Sequence, residues 1–484
     1  MAIRTACLLA ISVCVLLGCG GAAGPPAGDE GGGCFPNGTC NAGLSCLSTF
    51  CVRVVVGDAG LDGRAGSAGT AGSGAAGTGA AGAGAAGAGA AGTGGASGAA
   101  AESGTAGAPF TPAPHPDLPQ VGTLGGPVLL TPKVKPIFYS DDTALPDIEM
   151  FLTELTHTSY WASTTGEYGV GALKVLPAVV LPLNAPGTTT DMALQSEIVA
   201  NTSGSNPAWG AADPSVIYLL VIPEGATITN GTDTCCTDFG GYHSEVASGT
   251  TAVSYAVGCT CPGFLGGTML DARTSAISHE LVESATDPFP YSNPAYSVED
   301  RADIVWNAIN GGGEVGDMCA FNDDAYYIPA GAKYMVQRTW SNAAAKKMQN
   351  PCVPYATTAP YFNAFPALEA IKFGADKFMT RGLNVPFGTS RTIDVTLYSS
   401  APTKGTWTVS AYDYVSWFLG LPPDLGLTLD KTEGMNGDTL HLTVTPKVKP
   451  SDPNAADAFI LVSHYGTVRD PDYQTNLTIS LVAD

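Results

Sequence analysis

The stretch Ser278-His279-Glu280-Leu281-Val282-Glu283-Ser284-Ala285-Thr286-Asp287-Pro288 holds the sharpest chemical signal in the chain. On a helix, positions i and i+4 share a face. His279 and Glu283 therefore point the same way, one turn apart, with Glu280 beside them. Ile277, Leu281 and Val282 give the same helix an apolar side to bury. An imidazole and a carboxylate so placed suit two ligands of a metal ion, and Glu280 is then within reach of a water beside that ion. A third ligand is required. Gly313-Glu314-Val315-Gly316-Asp317-Met318-Cys319 offers Glu314 or Asp317 in a Gly-flanked loop. Asp287, one turn beyond Glu283, is a further candidate, although an Asp before Pro often just ends a helix. The bland alternative is a half-exposed helix whose carboxylates face water.

The order of these residues resembles the HExxH helix of zincin metallopeptidases, with Glu283 in place of the second His. The resemblance implies that His279 and Glu283 bind the metal, with Glu314 or Asp317 as third ligand. Glu280 is then the general base that takes a proton from the attacking water. Zinc is the implied cofactor. A second carboxylate ligand weakens the ion as a Lewis acid and makes Mn²⁺ or Ca²⁺ admissible.

Three further patches resemble a second family. They are Tyr160-Trp161 with Glu167-Tyr168-Gly169, then Gly240-Gly241-Tyr242-His243-Ser244, then Tyr255-Ala256-Val257 with Cys259-Thr260-Cys261-Pro262-Gly263-Phe264. In this order they are similar to the EXORDIUM, or phosphate-induced, proteins of plant cell walls and their bacterial relatives, across most of 130–355. That resemblance implies an extracellular role without an assigned activity. His243 reads as a residue of a Gly-rich loop after a buried strand. There it would polarise a substrate carbonyl or stabilise an oxyanion, or simply bond to backbone.

The elements that must position these groups are legible in outline. Val134 to Tyr139 reads as a strand, Leu145 to His157 as a helix from its apolar spacing, and Asp191 to Asn201 as another. Leu173 to Leu183 is β-branched and broken by Pro. Val216 to Ile222 is a continuous apolar run, as in a strand buried on both faces. A helix is expected from about Asp271 to Thr286. From about 360 the pattern changes to short alternating strands: Thr392–Leu397, Thr406–Ser410, Leu427–Leu429, Thr439–Thr445, Phe459–Ser463 and Leu477–Val482. The expected fold is an α+β zincin-like domain over 120–355, followed by an all-β, Ig-like sandwich over 356–484. His441 and His464 read as ordinary strand residues, and His157 as a cation at a helix C-terminus.

Cysteine parity and the N-terminus give the compartment. Of 13 cysteines, Cys7 and Cys14 lie in an apolar stretch behind Arg4, too short to span a bilayer and suited to a signal peptide over 1–18. Leu16-Leu17-Gly18-Cys19 resembles the lipobox of bacterial lipoproteins, which implies lipidation of Cys19 and an outer-membrane anchor. Cys34, Cys40, Cys46 and Cys51 form one even group, read as a stapled knob over 19–56. Cys235, Cys236, Cys259, Cys261, Cys319 and Cys352 form another. Even groups in an exported chain read as disulfides. Adjacent Cys235 and Cys236 fit a mutual bridge poorly, so links to Cys259 and Cys261 are expected, with Cys319 joined to Cys352.

From Ala65 to Ala101 every residue is Gly, Ala, Ser or Thr. Such a segment has nothing to bury against its ordering entropy, so 57–119 reads as a disordered tether, stiffer from Phe110 to Pro119. Acidic residues outnumber basic ones 43 to 21, for a net charge of -22. That balance argues against a nucleic-acid partner and leaves an extracellular protein or glycan. The functional expectation is an envelope-anchored metal-dependent hydrolase, most simply a peptidase. The rival is a non-catalytic surface protein with a structural metal.

Overall fold

The computed structural model describes residues 45–47, 50–52, 109–262, 267–297, 301–309, 313–355, 359–374, 377–450, 456–466 and 473–484. The signal segment, Cys19, Cys34, Cys40 and the Gly/Ala tether lie outside the described residues. Ser45–Leu47 and Phe50–Val52 pair antiparallel, with Cys46 opposite Cys51 in register. The described chain is β-rich with few helices. Among the described residues, no helix is long and apolar enough to cross a membrane.

The first unit is built on one mixed sheet. Its order runs Gly241–Ser248, Thr251–Gly258, Val216–Val221, Lys133–Phe138, with Lys174–Val175 and Val179–Val180 sharing the far edge. The inner pairings are parallel, and Gly241–Ser248 closes the near edge as the antiparallel arm of a hairpin. Val216–Val221 is buried at every position because both faces of the sheet are covered. Ile217, Leu219 and Val221 face the helices Leu145–His157 and Met269–Thr286, through Ile148, Phe151, Leu152, Ile277 and Leu281. Tyr218, Leu220 and Ile222 face the opposite layer, where Leu194 and Ile198 of the helix Asp191–Asn201 pack.

The helix Met269–Thr286 begins two residues before the expected start. Thr268 caps it, and its side chain and that of Asp271 satisfy each other's backbone N–H groups as a capping box. The helix lies close over the sheet: a Cβ at Gly258 would come within 2.4 Å of Ile277, so only glycine admits the approach. Arg273, 2% exposed, anchors the same helix. It donates to Asp142 at 3.1 Å, to the Ile222 carbonyl at 3.2 Å and to Thr260 Oγ1.

The C-terminal unit is two sheets enclosing a shared apolar core. One has the order Phe362–Pro366, Arg391–Ser399, Thr439–Pro446, Leu425–Leu429. The other runs Glu369–Phe373, Phe378–Asn384, Gln474–Ala483, Asp457–Tyr465, Trp407–Asp413, Glu433–Gly434. Phe362, Val395, Leu397, Trp407, Leu440, Leu442, Phe459 and Leu461 fill the space between them. Three of these strands, Phe362–Pro366, Glu369–Phe373 and Phe378–Asn384, and a short helix Tyr414–Leu419, were not legible in the sequence. The outer face of the larger sheet is also buried. Ile371, Phe373, Ile460, Leu477, Ile479 and Leu481 pack into the same cluster as the first unit's helices.

Two sequence expectations change here. The tether assigned to 57–119 ends earlier, because its last ten residues lie on the sandwich. Ala113 N–H donates to Asn436 Oδ1 at 2.9 Å, Asn436 Nδ2 donates to the Thr111 carbonyl at 3.0 Å, and Leu118 is buried. His243 is not in a loop. It sits in the strand Gly241–Ser248 opposite Ala256, where the hairpin's own pairing overrides its glycine-rich flank. Disulfides join Cys235 to Cys259, Cys236 to Cys261 and Cys319 to Cys352.

Candidate metal centre

Three elements bring the chemistry together: the helix Met269–Thr286, the edge strand Gly241–Ser248, and the turn from Gly313 to Cys319. His279 and Glu283 share a helix face, and His279 Nε2 lies 3.0 Å from Glu283 Oε2. The turn brings Asp317 Oδ1 to 3.6 Å from His279 Nε2. The strand brings His243 Nδ1 to 3.6 Å from Glu283 Oε2 and 3.7 Å from Glu280 Oε2, while its Nε2 stands 3.5 Å from Glu314 Oε2. Two donor sets result, His279–Glu283–Asp317 and His243–Glu283–Glu314, with Glu283 common to both. The sequence left Glu314 and Asp317 as alternatives for one position. The structure gives each a different imidazole.

Asp287 does not join either set. Its Oδ1 accepts the Ala295 N–H at 2.7 Å, and its carbonyl oxygen faces His243 Nε2 at 3.2 Å. It closes the helix and orients an imidazole instead. Burial pushes its carboxyl up to about 6.

Glu283 is fixed by backbone. Its Oε1 accepts the N–H groups of Gly316 at 3.0 Å and Asp317 at 3.1 Å. Gly316 is required for that approach: a Cβ there would come 2.8 Å from Glu283 Oε1 and 2.9 Å from His279 Nδ1. Oε2 is left to face the two imidazoles.

Sequence reasoning missed Gln337, which is 3% exposed in the two-residue strand Val336–Gln337. Its Nε2 donates to the Gly316 carbonyl at 2.8 Å, which turns Oε1 toward His279 Nδ1 at 3.0 Å. An amide oxygen accepts only, so Nδ1 carries the proton there. In the neutral ring, Nε2 then presents its lone pair to Glu283 and Asp317. A ligating histidine is commonly held this way, by its other nitrogen. The backbone N–H of Gln337 also donates to Ser278 Oγ at 3.0 Å, tying the short strand to the helix. Nothing local in the sequence marks Gln337; only its being polar at a buried position does.

The electrostatics follow from crowding charge out of water. Burial pulls both imidazoles down, but the surrounding carboxylates outweigh it and hold His279 and His243 well above the ordinary value. Burial pushes Glu314 and Asp317 well above the usual carboxylate range, and Glu280 upward too. Glu283 is the exception. Burial opposes its ionisation, yet the two flanking imidazoles hold it well below that range. A buried nest of this kind wants positive charge, which protons or metal ions supply.

No protein-family model matches the chain, and no curated protein matches it. Among solved structures, domains 4 and 5 of the S-layer protein SbsC show 18% identity over 25% of this chain and 47% of that one, with a TM-score of 0.15. Domains 1–6 of the same surface layer protein show 13% identity over 40% of this chain and 24% of that one, also at a TM-score of 0.15. The chain thus spans less than half the length of either structure.

Proposed function

We propose that this chain is a metal-dependent hydrolase, most simply a peptidase, acting outside the cell from an outer-membrane lipid anchor at Cys19. One observation carries the reading: His279 Nε2 lies 3.0 Å from Glu283 Oε2 and 3.6 Å from Asp317 Oδ1, close enough for the three to share one ion, while Gln337 holds the His279 ring by its other nitrogen. A nitrogen and two oxygens suit zinc, with Mn²⁺ or Ca²⁺ favoured as oxygen ligands increase. The bound ion would polarise a scissile carbonyl and acidify the attacking water. Glu280 lies one residue after His279, 5% exposed, where burial raises its carboxyl above the ordinary value, and it is the residue placed to act as general base. Three disulfides among the described residues fit an oxidising compartment, in line with the lipobox-like start. The zincin-like reading of the first unit and the Ig-like reading of the second belong to this proposal.

The test uses the full chain. Glu280→Gln is expected to abolish peptide turnover while metal content and fold persist, and His279→Ala to lose metal. Retained turnover in Glu280→Gln sinks the assignment. The carboxylate excess also favours a second reading, a structural metal in a surface protein that binds glycan or protein through the sandwich. It predicts a silent Glu280→Gln and a lower unfolding midpoint after chelation.

A further inference from the structure

The geometry points to two cation sites rather than one, with Glu283 Oε2 as the bridging atom. This deepens the proposed function and rests on it for the first ion. The second ion would lie on the strand side, between His243 Nδ1 and Glu283 Oε2, with the carboxylates of Glu280 and Glu314 flanking it.

The two halves repeat one arrangement. On the helix side, His279 Nδ1–H donates to an amide oxygen at 3.0 Å, and Nε2 faces Glu283 Oε2. On the strand side, His243 Nε2 faces the Asp287 carbonyl at 3.2 Å. A carbonyl cannot donate, so Nε2 carries the proton, and in the neutral ring Nδ1 presents its lone pair to Glu283 Oε2 at 3.6 Å. Each imidazole is thus held from behind by a neutral oxygen and aims its free nitrogen at the same carboxylate oxygen. Two lone-pair nitrogens facing one carboxylate oxygen repel it unless a proton or a metal ion stands in each gap, and an ion in each gap serves all three donors at once.

The spacings suit ions. His243 Nδ1 stands 3.6 Å from Glu283 Oε2 and 3.7 Å from Glu280 Oε2, both wider than a charge-assisted hydrogen bond, while Glu314 lies 3.5 Å from the other ring nitrogen. A cation about 2.1 Å from each of two donors holds those donors about 3.0–3.6 Å apart at ordinary ligand angles, close to the spacing from His243 Nδ1 to Glu283 Oε2. The anchoring of Glu283 is the independent observation. Both backbone N–H bonds go to Oε1, so the carboxylate cannot swing to serve one imidazole alone, and Oε2 stays between them. Charge agrees. Glu280, Glu283, Glu314 and Asp317 are four carboxylates within reach of two imidazoles. One divalent ion leaves the ionised cluster two charges negative, and two ions neutralise it. Paired ions bridged in this way are the setting for displacements in which both attacking and leaving oxygens need a positive partner.

The experiment measures metal in the full chain by elemental analysis after dialysis. It is paired with Mn²⁺ titration of metal-depleted protein followed by electron paramagnetic resonance. Two equivalents per chain are expected, falling to one in His243→Ala. The spectrum is expected to change from an isolated Mn²⁺ signal to an exchange-coupled pair as the second equivalent enters. The spectrum needs no variant, so a misfolded His243→Ala leaves the test intact. One equivalent, with no coupled signal at saturating Mn²⁺, overturns the second site and leaves the proposed hydrolase standing. No bound metal at all overturns both.

Discussion

Replacing Gln337 by Met keeps the length of the side chain and removes both of its side-chain hydrogen bonds. Two buried groups then lose partners: the Gly316 carbonyl, bonded at 2.8 Å, and His279 Nδ1–H, bonded at 3.0 Å. Each orphaned group costs about 1–3 kcal/mol, so the metal-free protein is expected to lose about 2–4 kcal/mol, the two losses overlapping at one residue. The metal should be affected separately. With Oε1 gone, nothing selects the tautomer that leaves Nε2 free, and loss of such a support typically lowers metal affinity about 10–100-fold. Urea unfolding of metal-depleted protein reads the first effect, and calorimetric Zn²⁺ titration of the folded full chain reads the second. Gln337→Glu separates the causes. It keeps an acceptor for His279 Nδ1–H but sets a carboxylate oxygen against the Gly316 carbonyl, so it should lose stability yet bind zinc within a few-fold of the native chain. A Gln337→Met protein that is less stable but binds zinc with unchanged affinity would refute the positioning role and leave Gln337 a packing residue.

Gly316→Ala meets no backbone penalty, since Gly316 has φ -77° and ψ -43°, but its Cβ would press on Glu283 Oε1 and His279. About 1–3 kcal/mol of destabilisation and at least about tenfold weaker metal binding are expected, read by thermal melts and titration. Asp324 is held up to about 6 by burial, above its ordinary 3.8. A carboxyl raised in the folded state favours folding below its unfolded value and loses that contribution as pH climbs through the folded one. Asp324→Asn should therefore match the native chain near pH 4 and exceed it by about 2–3 kcal/mol at pH 7.5 in denaturant unfolding, with equal stabilities at pH 7.5 counting against the buried charge. Arg273→Met leaves Asp142, 8% exposed, without its 3.1 Å partner. A loss of about 3–5 kcal/mol is expected, mostly restored by adding Asp142→Leu; a double variant no better than the single one would show that the arginine's other bonds matter more.

Local periodicity carried the sequence reading where one element decides its own structure. The apolar spacing of Leu145–His157 and Asp191–Asn201 reproduces the helix bounds, and the unbroken run at Val216–Val221 marks a doubly covered strand. His279 and Glu283 were legible because a helix fixes i and i+4. The hairpin Gly241–Gly258 was not, since the glycines and cysteines that flank it read as a loop and its pairing is what makes it a strand. Nor could spacing say that Asp317 faces His279 while Glu314 faces His243, because a three-residue offset in a turn has no fixed direction until the helix carboxylate grips its backbone. Gln337 lies 58 residues from the histidine it holds, beyond any local pattern.

The ligand-bearing turn has little regular structure of its own, so its placement must come from what holds it. Glu283 takes two of its N–H groups, and Trp340 N–H donates to the Val315 carbonyl at 2.7 Å. Cys319 ties it to Cys352. Just beyond, Asp324 Oδ1 accepts the Thr475 hydroxyl at 2.8 Å and Asp323 accepts from Tyr473, both at the strand of the sandwich that is buried on both faces. That strand, Gln474–Ala483, also supplies Leu477, Ile479 and Leu481 to the core beneath the site helix. Positioning errors of about 1 Å are enough to spoil a site. The sandwich is therefore part of the support of the candidate metal centre. A carboxylate cluster that repels itself stays assembled because helix, disulfide and sandwich each constrain the same short turn from a different side.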